Sequence, residues 1–189
     1  CSSVLEVIIT QPPVLALNTN KTDVLCFGAS TGSITATASG GTPPYQYSID
    51  AGAFGSSNVF NNLAAGTYTI HAKDANSCEK MVDVTITQPT LLVFSTQKTD
   101  ILCYGESTGS ISASASGGVG PYEFAIGAGA FSSTNVFSNL AAGTYTIHVK
   151  DANGCEKMVD VTITQPPLLV LSTQKTDILC YGESTGSIS

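Results

Sequence analysis

At 189 residues, a formal net charge of −7 and seven basic residues that are all lysine, the chain lacks the arginine-rich footprint that phosphate backbones select, so no nucleic-acid partner is expected. Its longest apolar runs fall far short of the ~20 residues a spanning helix needs, and no membrane span is expected in this stretch. A hydrophobic share of 42% that includes many alanines, set among Ser, Thr, Gly and Asn, fits a secreted β-domain.

The cysteines set a period. Cys26, Cys103 and Cys180 recur with a period of 77, and Cys1, Cys78 and Cys155 recur with the same one. Residues 1–12 therefore read as the last strand of a preceding repeat, 13–89 and 90–166 as complete repeats, and 167–189 as the start of another. The chain is expected to be a window on a longer protein, and the period places Cys1-Ser2-Ser3 inside a repeat, not at a lipidated terminus. Two cysteines per unit at fixed offsets suit an oxidising, extracellular setting, and a unit this small has only a marginal core that a covalent staple would help.

Within the second repeat, Gln88-Pro89 closes the preceding unit, because proline lacks the N–H a sheet ladder needs. A first strand is expected over Leu91 to Gln97, continuing from Asp100 to Cys103, then a turn through Gly105 and Gly109. Ser110 to Ser116 alternates Ile111, Ala113 and Ala115 inward until Gly117-Gly118 breaks it. Pro121 to Ile126 sets Tyr122, Phe124 and Ile126 on one face; the first repeat has Tyr45, Tyr47 and Ile49 there. A looser stretch leads to Asn135 to Leu140.

A hairpin follows, and the same hairpin occupies the first repeat. Leu63, Gly66 and Tyr68 (Leu140, Gly143 and Tyr145 in the second copy) open a strand with Tyr68, Ile70 and Ala72 on one face and Thr67, Thr69 and His71 on the other. Asp74 to Ser77 turn the chain into Val82, Val84 and Ile86. About seven short strands per unit with no helical period predict an all-β fold of tandem β-sandwich repeats. The short linkers predict a stiff rod with a repeat of roughly 35–45 Å.

No enzyme constellation stands out. His71 and His148 are one outward-facing residue in two copies, and a metal site needs several convergent donors. Asp74 and Asn76, with Asp151 and Asn153, are candidate Ca²⁺ ligands, but they supply about two of the six to eight oxygens calcium takes, and turn formation is the plainer role. Lys73 is a remote candidate for an isopeptide bond. Tyr45, Tyr47 and Tyr68 are expected in the core, and Phe54 and Phe131 are the only aromatics with a prospect of exposure, though core is again the plainer expectation.

Cys-x-Gly-x-x-x-Gly (Cys26, Gly28, Gly32; Cys103, Gly105, Gly109), Gly-Gly-x-x-Pro-Tyr (Gly40 to Tyr45; Gly117 to Tyr122), Leu-Ala-Ala-Gly-Thr-Tyr-Thr, Asp-Ala-Asn-x-Cys and Thr-Ile-Thr-Gln-Pro together resemble the SprB-type repeat of giant surface adhesins and extracellular filaments of gliding Bacteroidota-type bacteria. The resemblance implies tandem immunoglobulin-like (fibronectin III-like) β-sandwich repeats, type IX export, a cell-surface location and a part in adhesion or gliding, with no catalytic residue. In such a sandwich Cys26 and Cys78 lie at opposite ends, which favours Cys26 with Cys155 in a head-to-tail rod; other pairings among the six cysteines, and pairing between chains, stay open. Two functions follow: a structural and adhesive stalk, or repeats that each bind carbohydrate or protein. The copies differ at 18 of 77 positions, clustered around residues 42–50 and 119–127, which is either diversified contact surface or drift. The Thr- and Ser-rich outer faces further suggest a bundle or filament of identical chains.

Overall fold

The computed structural model describes residues 7–189. Cys1 and half of the strand expected over 1–12 lie outside the described residues. The first complete unit has β1 (Ala16–Thr22), β2 (Gly32–Ser39), β3 (Gln46–Ile49), β4 (Val59–Leu63), β5 (Gly66–Lys73) and β6 (Glu79–Ile86). Its two antiparallel sheets have the orders β1-β2-β4 and β3-β5-β6. The second unit repeats them as β7 (Val93–Thr99), β8 (Gly109–Ser116), β9 (Glu123–Ile126), β10 (Val136–Leu140), β11 (Gly143–Lys150) and β12 (Glu156–Ile163), and a short pair, β13 (Lys175–Thr176) with β14 (Ser187–Ile188), follows.

The sandwich comes from alternation. In β5, Ile70 and Ala72 are fully buried while Thr67 is exposed, and in β2 Ile34 and Ala36 are buried in the same way. Ile34, Ile70 and Ile86 meet between the two sheets, as do Ile111, Ile147 and Ile163 in the second unit. Each such side chain contributes about 1.5–3 kcal/mol on leaving water. Small residues let the sheets close: a Cβ on Gly32 would lie 2.8 Å from both Ile86 Cγ2 and the Leu63 carbonyl oxygen.

Each unit has six strands, not about seven. Two segments expected to extend a sheet do something else. Asp100 to Cys103 leaves the first sheet after Thr99 because Ile101 N–H donates to the Thr164 carbonyl (2.9 Å) at the end of β12. The loop after β9 returns upward along that strand and touches it through one bridge, Phe124 with Ser132. That loop carries Phe131, and its counterpart carries Phe54. These rings are not in the core: each is half-buried on the outer face of the sheet, edge-on to His148 (6.4 Å) or His71 (6.3 Å), with Lys150 or Lys73 Nζ 4.3 or 4.4 Å from the ring centre.

The repeated motifs are hydrogen-bond devices. Tyr45 hydroxyl donates to the Gly40 carbonyl (2.5 Å) and Tyr122 to Gly117 (2.6 Å), which ties the Gly-Gly turn to the strand that follows it. Tyr68 hydroxyl donates to the Ala64 carbonyl (3.1 Å) and Tyr145 to Ala141 (3.0 Å), closing the corner before β5 and β11; a tyrosine so placed buries its ring and satisfies its hydroxyl on the backbone.

Candidate functional site at the junction between units

The lower end of the first unit is the loop after β1, and it is fastened to the end of β6. Lys21 Nζ bonds Asp23 (2.8 Å) and donates to the Thr85 carbonyl (2.6 Å). The other ties are Val24 N–H to the Thr87 carbonyl (2.9 Å), Thr87 N–H to Asp23 Oδ1 (2.7 Å), and Gly28 N–H to Gln88 Oε1 (2.7 Å). Buried Val24 plugs the sandwich beneath them. The second unit repeats the clamp with Lys98, Asp100, Thr162, Thr164, Gly105 and Gln165. The Lys21 ammonium, then the Thr87 amide, hold the Asp23 carboxyl below its ordinary value; for Asp100 the Thr164 amide leads and Lys98 follows.

The upper end of the second unit is built on Asp151. This buried carboxylate accepts from the N–H groups of Asn153 and Cys155 (2.9 Å each) through Oδ1 and of Val119 (3.0 Å) through Oδ2. Asp74 does the same for Asn76, Cys78 and Thr42. Desolvation pushes the Asp74 pKa up, but the amides of Thr42, Cys78 and Asn76 together outweigh it and leave the carboxyl below its ordinary value. The carboxylates thus organise a turn. Of the calcium candidates, Asn76 donates its side-chain N–H to Thr42 Oγ1 (2.9 Å), and among the described residues no group of three or more His, Cys, Asp or Glu could hold a metal ion. Lys73 pairs with Glu79 at 2.8 Å.

The two ends meet. Cys26 and Cys155 form a disulfide with Cα atoms 5.7 Å apart across a sequence separation of 129. Beside it, Asn153 donates its side-chain N–H to the Leu25 carbonyl (2.8 Å). The first unit's Thr42 occupies Asn76; Val119 stands at the equivalent position in the second unit and has no hydroxyl to offer, so Asn153 reaches its neighbour instead. One of the differences between the copies therefore acts at the junction. Docking also covers apolar surface: Leu25 is 52% exposed and Leu91 45%, while their unpartnered equivalents Leu102 and Val14 are 86% and 87% exposed. A shallow groove lined by Phe27, Pro89, Leu91, Gly118, Gly154 and Lys157 runs along the seam.

Of the sequence candidates, the structure brings Cys26, Asn153 and Cys155 together. Cys78, Cys103 and Cys180 are unpaired and exposed. Leu63 and Tyr68 pack on the first core and Leu140 and Tyr145 on the second, while Gly66 and Gly143 lie beneath their tyrosine rings. Sequence reasoning missed the Lys-Thr-Asp clamp. A signal for it exists, since Lys21-Thr-Asp23 recurs unchanged at Lys98 and Lys175.

The sequence profile described as the SprB repeat matches twice, at residues 18–54 and 95–131. No curated protein matches the chain. Among solved structures, a 282-residue C-terminal fragment of intimin, solved with the intimin-binding domain of the translocated intimin receptor, is similar at 16% identity and a TM-score of 0.41 over 82% of this chain and 64% of that one. Domains 4–9 of the surface layer protein SbsC are similar at 14% identity and a TM-score of 0.32 over 93% of this chain and 35% of that one. Domains 1–6 of the same protein give 16%, 0.31, 88% and 30%. The chain thus spans less than two thirds of each of these chains.

Proposed function

From the premise that the chain carries two SprB repeats, we propose that it is the spacer region of an extracellular or cell-surface protein: non-enzymatic sandwiches stacked end to end into a stiff stalk or filament that holds an attachment point away from the cell. The observation that carries this is the junction. A disulfide, a side-chain hydrogen bond and a short proline-bearing linker fix one unit on the next, and a linker of that kind leaves few orientations free. The disulfide and the repeat family support a secreted location; type IX export and a part in gliding or attachment belong to the same proposal. Side-by-side bundling of identical chains is the partner we propose first.

The second proposal, that each unit binds carbohydrate or protein, has one feature in its favour: the groove along the seam. Competition separates the two. Excess soluble 189-residue chain is expected to leave attachment of cells bearing the full protein unchanged, and deletion of units is expected to shorten the surface fibre in proportion. Inhibition by the soluble chain would overturn the spacer role in favour of the binding module.

A further inference from the structure

Cys103 stands one full period after Cys26, and Cys78 stands one full period before Cys155. They are therefore the same two positions as the bonded pair, at ends where this chain places no complete neighbour. Leu102 and Val14 beside these ends are left bare, whereas Leu25 and Leu91 at the formed junction are half covered. We propose that every junction of an array in this register carries the bond seen between Cys26 and Cys155, and that these bonds, with the first and last strand of each unit, form two unbroken covalent lines that carry tension past the rest of each fold. This rests on the end-to-end stacking described above and adds a mechanical role to it.

The path can be followed through the second unit. One line comes from Cys78 along β6, crosses the linker, runs down β7 and reaches Cys103, where the proposed bond passes it to the next unit. The other arrives from Cys26 through the disulfide at Cys155 and leaves along β12. Both run in the same direction, and the Lys98, Asp100 and Gln165 contacts tie β7 to β12 side by side. Residues 104–154, holding β8 to β11, lie off both lines inside closed loops. Most of the line from Cys78 to Cys103 is already in strands. Its full extension, at about 3.3–3.6 Å per residue, is roughly 85 Å, against about 70–90 Å for two units of the expected repeat. The line has almost no slack, whereas a whole unstapled unit would unravel to roughly 260 Å.

Each bond forms by thiol–disulfide exchange. One cysteine thiolate displaces a sulfur of a small-molecule disulfide oxidant, and the facing thiolate then attacks the mixed disulfide. The two cysteines lose two protons and two electrons, and the oxidant leaves as two thiols.

The test is an array lengthened to four complete units by repeating residues 90–166, oxidised with oxidised glutathione, mapped without reduction and stretched by its ends. Bonds with the sequence separation of 129 at every internal junction are expected, with no unfolding step from internal units until reductant is added, after which steps of roughly 200 Å or more appear. Replacing each cysteine at the hairpin turn before β12 or its equivalent by serine, as in Cys155→Ser, should restore those steps without reduction; if that variant does not fold, the reductant comparison on the parent array decides. Steps of that size in the oxidised array, or Cys103 bonded to Cys155 within one unit, would overturn the covalent lines while leaving a straight unstretched rod intact. A bent or collapsed array at rest would instead count against the stacking itself.

Discussion

At the scale of single residues, the two glycines before the Pro-Tyr motif carry more constraint than any side chain in the turn. Gly118 has φ +59°, and a Cβ there would lie 2.5 Å from Asp151 Oδ2; Gly117 has φ +71°, and a Cβ there would lie 2.0 Å from the Leu91 carbonyl oxygen. Gly118→Ala is therefore expected to destabilise the second unit by at least about 1–2 kcal/mol from the left-handed backbone alone, with further loss from displacing Asp151, read as a lower urea midpoint. Asp74 gives a pH dependence. Its folded pKa lies below the ordinary 3.8, so the unfolded chain takes up the proton first as pH falls. The stabilisation is present above about 3.8 and is lost as pH drops through the folded value. Asp74→Asn should lower the melting temperature near neutrality and flatten the acid limb of its pH profile; an unchanged acid limb would remove Asp74 as its source.

The sequence is most informative where alternation is strict. The faces of β2, β5 and β6 follow from counting by two, because one buried face fixes which residues point inward. The roles of Asp74 and Asp151 as turn formers follow from residue type, since aspartate bonds its own backbone. What cannot be counted off is where a segment changes sheets: Asp100 to Cys103 has strand-like composition, yet a clamp 64 residues away in sequence takes it from the first sheet to the second. Phe54 and Phe131 are hidden for a related reason, as their position depends on a loop that folds back on the outside of β3 and β9.

At the scale of elements, the free edge of the first sheet is β4 in one unit and β10 in the other. Each carries an asparagine at positive φ, Asn62 and Asn139 at 59°, beside a register shift, and a kink of this kind discourages edge-to-edge pairing. Lateral association should therefore go through sheet faces, where hydroxyl pairs such as Thr67 with Thr85 and Thr144 with Thr162 lie exposed. The clamp is testable separately: Lys98→Met and Asp100→Ala should each lower the stability of the second unit, and their effects should be less than additive because both fasten β7 to β12. Full additivity would mean they act apart. Cys155→Ser is expected to leave both sandwiches folded while costing about 2–4 kcal/mol of the coupling that the cross-link supplies, so that a single thermal transition separates into two.

At the scale of the molecule, a surface that recurs once in every unit multiplies any weak lateral contact along two parallel chains in register. The charge of −7 opposes that packing, and Asp83 and Asp160 stand on the same faces as those hydroxyl pairs, each bonded to a threonine, Thr69 or Thr146. Sedimentation of chains with two, four and eight units should show association rising steeply with length; monomers at every length would remove the bundle. The stacking itself is the central claim, and electron microscopy of a long oxidised array measures it directly. Straight filaments with an axial repeat of roughly 35–45 Å per unit are expected, and a compact particle or freely hinged beads would contradict it.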